Sequence, residues 1–140
     1  MKKILILGGG FSGIYTAKNL QKENLKDYEI ELISDNNYFI FQPLLPEVAS
    51  GTIYSSDAVT PIRQMLKGIK YRNAEISNLD LKNKKISILQ GFKKSSHDLN
   101  YDHLVIALGQ VSNLDIVKGL KDHAFTMRSL QDAYDLRNHI

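Results

Sequence analysis

The sequence predicts an α/β fold with a parallel sheet, and three observations near its start support this prediction. Residues 4–7 form a continuous apolar run, which is typical of a strand covered on both faces. A glycine-rich turn follows, and apolar residues then recur at helical spacing at Ile14, Ala17 and Leu20. Residues 29–33 return to a strand-like alternation. Together these segments predict a βαβ unit, whose crossover is right-handed by default.

The glycine turn has the spacing of a dinucleotide-binding fold. Gly8, Gly10 and Gly13 are arranged as G-x-G-x-x-G. An acidic residue, Asp35, follows about twenty residues later, as the motif requires. Gly8 would turn the chain off the strand, Gly10 would admit a pyrophosphate to the backbone, and Gly13 would let the helix approach the sheet. The pyrophosphate would lie on the N–H groups that open the helix. The motif predicts FAD or NAD(P) and does not distinguish between them.

Residues 34–52 are predicted to be irregular, because two prolines interrupt a segment rich in apolar and aromatic side chains. Long loops in compact domains are usually functional or disordered, and the hydrophobicity of this one argues against disorder. Two interpretations remain open for Phe39, Phe41, Leu44 and Leu45. They pack against a buried ligand or a partner, or they fill the domain's own core.

The rest of the chain contains further predicted elements. In chain order these are a helix at 57–67, a strand at 69–76, a hairpin of 76–81 and 86–89, a strand at 104–108 that ends at Gly109, and a helix that opens near Ser129. A capping-box pattern marks the start of this last helix. Because no stop signal precedes Ile140, we expect the chain to be cut within a helix.

The composition argues against several classes of function. The net charge is only +3, from 18 basic and 15 acidic residues, and the clustered lysines at 82–85 and 93–94 lie beside predicted turns. We interpret these lysines as a solvated hairpin and expect no nucleic-acid partner. The absence of cysteine excludes a disulfide, a thiolate metal site or a C-x-x-C redox pair within these residues.

Neither a metal site nor a membrane segment is predicted. The four histidines, at positions 97, 103, 123 and 139, are too scattered to suggest a metal site. The role of Glu47 stays open between a functional acid and an exposed loop acid. No apolar run approaches the length of a membrane span, and the short run after Lys2 and Lys3 lacks a signal-peptide cleavage site. We expect a cytoplasmic location.

Four segments resemble the type II NADH dehydrogenases, which are non-pumping NADH:quinone oxidoreductases. They are the glycine turn at 8–13, the segment FQPLLPEVASGT at 41–52, the segment YDHLVIALG at 101–109 and the ending LRNHI at 136–140. The resemblance runs through the whole chain in order. The glycine turn and the strand ending at Gly109 are shared by many flavoproteins, and the 41–52 segment is the more specific signature.

The resemblance implies that the cofactor is FAD and that catalysis belongs to the flavin, with no catalytic side chain in this stretch. Gly8, Gly10, Phe11, Ser12 and Gly13 would contact its pyrophosphate. Ser34 or Asp35 would hold the adenosine ribose, and which of the two does so stays open. Backbone groups of residues 74–76, up to Ile76, would lie near the adenine. Pro43 and Leu44 would border the isoalloxazine ring and the quinone approach, and Ala107, Leu108 and Gly109 would pass close to the flavin.

The resemblance also implies the architecture and its missing parts. We expect a three-layer, Rossmann-like FAD/NAD(P)-binding domain with a parallel sheet, helices on one face and a β-meander on the other. Residues 1–140 would be the N-terminal part of that domain, without the NADH-binding domain or the C-terminal membrane region. We therefore expect the chain alone to oxidise NADH poorly. NADH and a membrane quinone would be the parent enzyme's partners, with the enzyme peripheral on the inner face of the cell membrane, and we expect a homodimer.

Two alternatives stay open. One is a fragment of another flavoprotein, such as a sulfide:quinone or ferredoxin-type reductase. The absence of cysteine counts mildly against the first of these and clearly against a disulfide reductase. The other is a nucleotide-binding or interaction module without a reaction of its own, in which the apolar residues at 39–48 would form a partner surface.

Overall fold

The computed structural model describes residues 1–140, which divide into two compact units. The first unit comprises Met1–Phe39 and Pro61–Gly109, and the second comprises Ile40–Thr60 and Gln110–Ile140. Two short strands, β3 (Tyr38–Ile40) and β4 (Val59–Pro61), pair with each other where the chain passes from one unit to the other.

The first unit is built on a four-stranded parallel sheet. Its strands are β1 (Lys2–Leu7), β2 (Tyr28–Ser34), β5 (Lys70–Asn73) and β9 (His103–Ile106), in the order β5-β2-β1-β9. Helix α1 (Phe11–Lys22) connects β1 to β2, and helix α3 (Ile62–Met65) precedes β5. The predicted βαβ unit and parallel sheet are therefore confirmed.

A three-stranded antiparallel meander covers the sheet's second face. It consists of β6 (Glu75–Asp80), β7 (Lys85–Gln90) and β8 (Ser95–Asn100) in sequential order. On the helix side, Ile4, Ile6 and Leu32 pack with residues of α1 and α3, and on the meander side Leu5, Leu7 and Ile33 pack with β7. These apolar residues alternate along each strand, so the predicted three-layer arrangement is confirmed.

A buried acid, Glu31, lies on the meander side of this sheet. Its carboxylate is 2.8 Å from the Lys3 Nζ and 2.7 Å from the Arg72 Nε, and Arg72 also donates to the Gln90 side chain at 3.0 Å. Burial raises the pKa of Glu31, but the hydrogen bonds and positive charges of Lys3 and Arg72 outweigh it. The pKa of this carboxyl therefore lies below its usual value. The network ties β1, β2 and β5 to the meander.

Two predicted elements differ from the structure, and one observed strand was not among the predicted elements. The helix predicted at 57–67 is wrong, because only Ile62–Met65 is α-helical and β4 precedes it. Pro61 explains this, since proline in a helix interior removes a hydrogen bond and favours extended backbone in the residue before it. The strand predicted at 69–76 breaks at Ala74, where the chain leaves the parallel sheet for the meander. Strand β8 lies in a polar segment that gave no apolar alternation.

The second unit is helical. It contains a 3₁₀ turn at Gln42–Leu44, α2 (Leu45–Ser50), a 3₁₀ turn at Ser55–Ala58, α4 (Leu120–His123) and α5 (Leu130–His139). Its core is formed by Leu45, Val48, Ala49, Ala58 and Ala133. The predicted capping box of α5 is confirmed, because the Ser129 hydroxyl accepts from the Asp132 N–H while the Asp132 carboxylate accepts from the Ser129 N–H. No helix has the length and apolar character needed to cross a membrane.

In the 34–52 segment, some apolar residues fill the protein's own cores and others remain exposed. Phe39 is buried in the core of the first unit, and Leu45 is buried in the core of the second. Leu44 packs half-buried against that second core. Phe41 remains exposed, and so does Pro43. The segment is therefore mainly a helical contributor to the protein's own cores, with an exposed remainder.

Candidate functional site at the carboxyl edge of the sheet

All four parallel strands end at the same edge of the sheet, and most predicted site residues follow those ends. The glycine turn follows β1. Ser34 is the last residue of β2 and Asp35 follows it, Ala74 follows β5, and residues 107–109 follow β9. Strand β1 lies between β2 and β9, and the chain leaves β1 towards β2, on the side opposite β9. The strand order therefore changes direction at β1. Ligands of open α/β sheets bind outside the carboxyl ends of strands at such a switch point.

The outer two glycines of the motif are required by the protein's own packing. Gly8 has φ +111°, in the region that favours glycine, and its N–H donates to the Ile33 carbonyl at 2.8 Å. A Cβ at Gly8 would overlap the carbonyl oxygen of Ala107. A Cβ at Gly13 would overlap the carbonyl oxygen of Gly8, so no side chain fits there unless the backbone moves. These contacts hold β1, α1 and the end of β9 together.

Gly10 differs from these two glycines because no atom lies within 4 Å of a Cβ built on it. It stands immediately before α1, where no side chain caps the helix and the first turn contains no acidic residue. The opening turn of a helix has N–H groups without intrahelical acceptors and carries the positive end of the helix dipole. The space at Gly10 and the polarity of this helix end fit a pyrophosphate.

Gly9 is a further requirement that the motif did not indicate. A Cβ on this residue would lie 2.7 Å from both the Ile62 Cδ1 and the Ser34 Oγ. The turn is therefore closely packed by side chains from α3 and β2. Only the third glycine in the run Gly8–Gly10 faces open space, which narrows the candidate pyrophosphate position to the start of α1.

Residues 34–37, which we call the ledge, continue β2 at the carboxyl edge. Their backbone carbonyls are held by donors from elsewhere in the first unit. The Asn73 Nδ2 donates to the carbonyls of Ser34 at 3.0 Å and Asp35 at 2.8 Å. The Tyr71 hydroxyl donates to the Asn36 carbonyl at 2.8 Å, and the Ile62 N–H donates to the Asn37 carbonyl at 3.1 Å. The ledge is therefore fixed before any ligand arrives.

Ser34 and Asp35 have different surroundings within this ledge. Ser34 is only 4% exposed, and its hydroxyl accepts from the Asn36 N–H at 3.3 Å. Asp35 is exposed, and its Oδ1 accepts from the Asn36 Nδ2 at 3.2 Å. A carboxylate has two oxygens and about four acceptor positions, so Asp35 keeps acceptor capacity for the hydroxyl groups of a ligand.

Sequence reasoning missed Asn73 and Tyr71, which no motif marks. Tyr71 packs against the core on the helix side, and the Arg63 guanidinium lies 5.3 Å from the centre of its ring. Burial raises the pKa of the Tyr71 phenol, so it stays protonated and remains a donor to the ledge at neutral pH. The one signal in the sequence was a polar residue, Asn73, in a predicted strand. It could not indicate which residues Asn73 contacts, because those residues are distant in sequence.

Of the remaining predicted site residues, some lie beside the glycine turn and others lie elsewhere in the fold. Phe11 and Ser12 open α1 beside Gly10, and the Phe11 ring contacts Phe39 edge-to-face at a centroid distance of 4.9 Å. Residues 107–109 lie beside the glycine turn, with the Ala107 N–H bonded to the Leu7 carbonyl at 2.8 Å. Ile76 packs its side chain into the meander-side core. Pro43 and Leu44 belong to the 3₁₀ turn of the second unit.

Comparison with known proteins gives a consistent relationship. The chain is 34% identical over 148 residues to the external alternative NAD(P)H-ubiquinone oxidoreductase B4 of Arabidopsis thaliana mitochondria, covering 99% of this chain and 25% of that protein. It is 35% identical over 142 residues to the type II NADH:quinone oxidoreductase of Staphylococcus aureus, covering 99% of this chain and 34% of that enzyme. The chain thus spans about a third or less of the relatives it matches.

Solved structures give the same relationship. NDH2 from Plasmodium falciparum in complex with NADH superposes with a TM-score of 0.84 at 31% identity, over 97% of this chain and 28% of that one. The sulfide:quinone oxidoreductase of Aquifex aeolicus gives a TM-score of 0.80 at 26% identity, over 99% of this chain and 31% of that one. The profile of the pyridine nucleotide-disulphide oxidoreductases matches residues 2–140. The chain therefore belongs to the pyridine nucleotide-disulphide oxidoreductase family.

Proposed function

We propose that this chain is the FAD-binding part of an NADH:quinone oxidoreductase. The single observation that carries the proposal is the open space at Gly10, at the uncapped start of α1 and the carboxyl edge of a parallel sheet. The relatives' names support the reaction, since the Staphylococcus aureus enzyme is a type II NADH:quinone oxidoreductase. Bound FAD would supply hydride acceptance from NADH and electron transfer to a quinone.

Each part of the cofactor has proposed contacts in the chain. The pyrophosphate lies against Gly10, Phe11 and Ser12 at the start of α1, while the closely packed Gly8 and Gly13 shape the turn beside it. The exposed carboxylate of Asp35 accepts from the adenosine ribose, because the Ser34 hydroxyl is buried and already bonded to the ledge. Backbone groups of residues 74–76 lie near the adenine, and the Ile76 side chain stays packed in the core on the meander side of the sheet. Ala107, Leu108 and Gly109 approach the flavin, and Pro43 and Leu44 border its ring.

The proposal extends to the parent protein. Residues 1–140 form the N-terminal part of its FAD-binding domain, and the NADH-binding domain and membrane-contacting region belong to the remainder. This is consistent with a chain that spans about a third of the Staphylococcus aureus enzyme. The parent enzyme would work at the inner face of the cell membrane. A homodimer is part of the proposal, supported by the apolar side chain of Ile106, which is 55% exposed at the end of β9.

The sulfide:quinone alternative is supported less well. The Aquifex aeolicus enzyme is 26% identical to this chain, below the 34–35% of the NAD(P)H-oxidising relatives. The 140 residues also contain no cysteine. We retain it as an outcome of activity tests on the parent protein.

The test is FAD binding to this chain and its Gly10→Asp variant, measured by equilibrium dialysis with chromatographic identification of the bound nucleotide. We expect the wild-type chain to bind FAD. Aspartate at this position caps α1 favourably but fills the open space and repels a pyrophosphate, so binding should fall at least about tenfold without loss of stability. Asn78→Asp is the control for the added charge, because Asn78 is an exposed residue of β6 in the meander and the substitution needs no strained backbone.

Three outcomes contradict the proposal in different ways. Binding of NADH without FAD would mean that the turn holds another dinucleotide. Binding of neither nucleotide by the wild-type chain would reject the assignment of a complete pyrophosphate site to these residues. Equal FAD affinity of the wild-type chain and Gly10→Asp would locate the pyrophosphate elsewhere.

A further inference from the structure

The ledge at residues 34–37 is held with unusual completeness for an exposed segment. Each of its four backbone carbonyls accepts from a donor outside the ledge. Exposed turns normally leave such carbonyls to water. Three different elements, β5, α3 and the connection after β5, supply these donors, which is more restraint than a connecting segment needs.

Asn73 has a particular place among these donors. Its Nδ2 contacts the carbonyl oxygens of Ser34 and Asp35, which belong to the two peptide planes on either side of the Asp35 Cα. Because two planar peptides flank every Cα, fixing both planes fixes the backbone dihedral angles of that residue. One side-chain amide therefore sets the direction in which the Asp35 carboxylate leaves the backbone.

The groups that the ledge leaves exposed are acceptors and donors suited to hydroxyls. The Asp35 carboxylate and the Asn36 carboxamide contact each other at 3.2 Å, and both residues are exposed at the carboxyl edge. An ionised carboxylate accepts strong hydrogen bonds from hydroxyl groups and repels phosphates. The chemistry presented here is that of a receptor for a sugar hydroxyl.

We propose that Asn73 is a positioning residue that aims Asp35 at the 2′-hydroxyl of the bound adenosine ribose and so makes the site select ribonucleotides over 2′-deoxyribonucleotides. The inference rests on the proposed function, since it needs an adenosine dinucleotide at this edge. Tyr71 acts in the same way on the next residue, because its hydroxyl holds the Asn36 carbonyl at 2.8 Å. Neither residue needs to touch the ligand.

The experiment measures FAD binding to the chain and then its displacement by ADP and by 2′-deoxy-ADP. The ratio of the two displacement constants reports the contribution of the 2′-hydroxyl alone. A hydrogen bond to a carboxylate corresponds to a ratio of about tenfold or more in the wild-type chain. We expect Asn73→Ala to reduce this ratio to about one, and Tyr71→Phe, which removes one hydroxyl, to reduce it by about half.

Two controls separate positioning from a general loss of structure. Asn78→Ala removes an exposed amide from the neighbouring strand β6 and should leave the ratio unchanged. Asp35→Asn removes the proposed acceptor charge itself and should lower the ratio as Asn73→Ala does. A purely structural role would weaken ADP and 2′-deoxy-ADP equally and so leave the ratio at its wild-type value.

Each outcome bears on a separate claim. If wild-type chain binds no FAD, the proposed function fails and the inference fails with it. If it binds FAD but ADP and 2′-deoxy-ADP displace it equally, or ADP does not displace it at all, the inference alone is overturned. A wild-type ratio retained in Asn73→Ala overturns it as well. A ratio lost in both Asn73→Ala and Asp35→Asn supports it.

Discussion

Glu31 and Asp35 belong to one strand and the ledge that continues it, yet their surroundings are opposite. Glu31 is fully buried and is contacted by Lys3 and Arg72 at 2.8 and 2.7 Å. Asp35 is exposed, and its carboxylate contacts the Asn36 side chain at 3.2 Å. The protein compensates the charge of Glu31 internally, whereas the charge of Asp35 faces the carboxyl edge. A charge compensated within the chain serves the fold, whereas an exposed carboxylate at the carboxyl edge of a parallel sheet keeps acceptor positions for a ligand.

The glycines of the turn also differ in whether the protein's own packing or a ligand requires them. Gly8 and Gly13 are required because neighbouring carbonyl oxygens occupy the space of a Cβ. Gly10 has no such neighbour, so the protein's own packing does not demand glycine there. One motif therefore contains two kinds of requirement, and substitutions should separate them.

The largest expected effect is the loss of stability in Gly13→Ala. The new methyl group would overlap the Gly8 carbonyl oxygen, and because that oxygen belongs to the backbone, the strand-to-helix turn must shift. We expect the free energy of unfolding to fall by about 4 kcal/mol, at the upper end of single-substitution effects. Urea-induced unfolding followed by circular dichroism measures it.

Gly10→Ala is the matched comparison for Gly13→Ala. It adds the same methyl group to the same turn, but into open space, so its cost should stay below about 1 kcal/mol, set by the poorer N-cap. Similar losses of stability in the two variants would contradict the distinction between packing glycines and ligand glycines.

The next effect in size is the destabilisation by Glu31→Gln. This substitution keeps the shape of the side chain but leaves Lys3 and Arg72, 23% and 22% exposed, without their shared counter-charge. Breaking a buried ion pair costs about 3–5 kcal/mol, and the partial exposure of both cations lowers our expectation to about 2–3 kcal/mol. The same urea titration measures it.

Glu29→Gln is the control on the same strand. Glu29 pairs with Lys70 at 3.2 Å, but their side chains are 36% and 52% exposed, so the loss should be under about 1 kcal/mol. An equal effect of the two substitutions would mean that burial does not determine which acid stabilises the sheet.

Much of the fold followed from local patterns. The βαβ unit was predictable because its first strand is a continuous apolar run, its second strand shows an alternating pattern, and its helix follows the glycine turn directly. The hairpin of β6 and β7 was predictable because a lysine-rich turn separates two apolar segments. The helix predicted at 57–67 failed because apolar spacing was given more weight than Pro61, which bars a continuous helix.

The candidate site was less accessible to sequence reasoning. The glycines were visible as a motif, but the motif could not show that Gly8 and Gly13 meet backbone while Gly10 meets none. Asn73 lies far from the ledge in sequence, and only the parallel register, which pairs Ser34 with Asn73, brings it to the carbonyls it holds. Such contacts depend on which strands are neighbours, and no single segment specifies that.

The smallest effect concerns pH and tests the internal compensation of Glu31 most directly. Lys3 and Arg72 lower the pKa of the folded carboxyl despite its burial, so the unfolded chain takes up the proton first as pH falls. The contribution of the ionised carboxylate is therefore complete above the unfolded pKa, near 4.3, and is lost as pH falls through the folded pKa. The difference in unfolding free energy between the wild-type chain and Glu31→Gln should be constant from about pH 7 to about pH 5.5 and shrink below that. A difference that grows on acidification would mean that burial, not the two cations, governs this carboxyl, and the contrast between Glu31 and Asp35 would then lose its electrostatic basis.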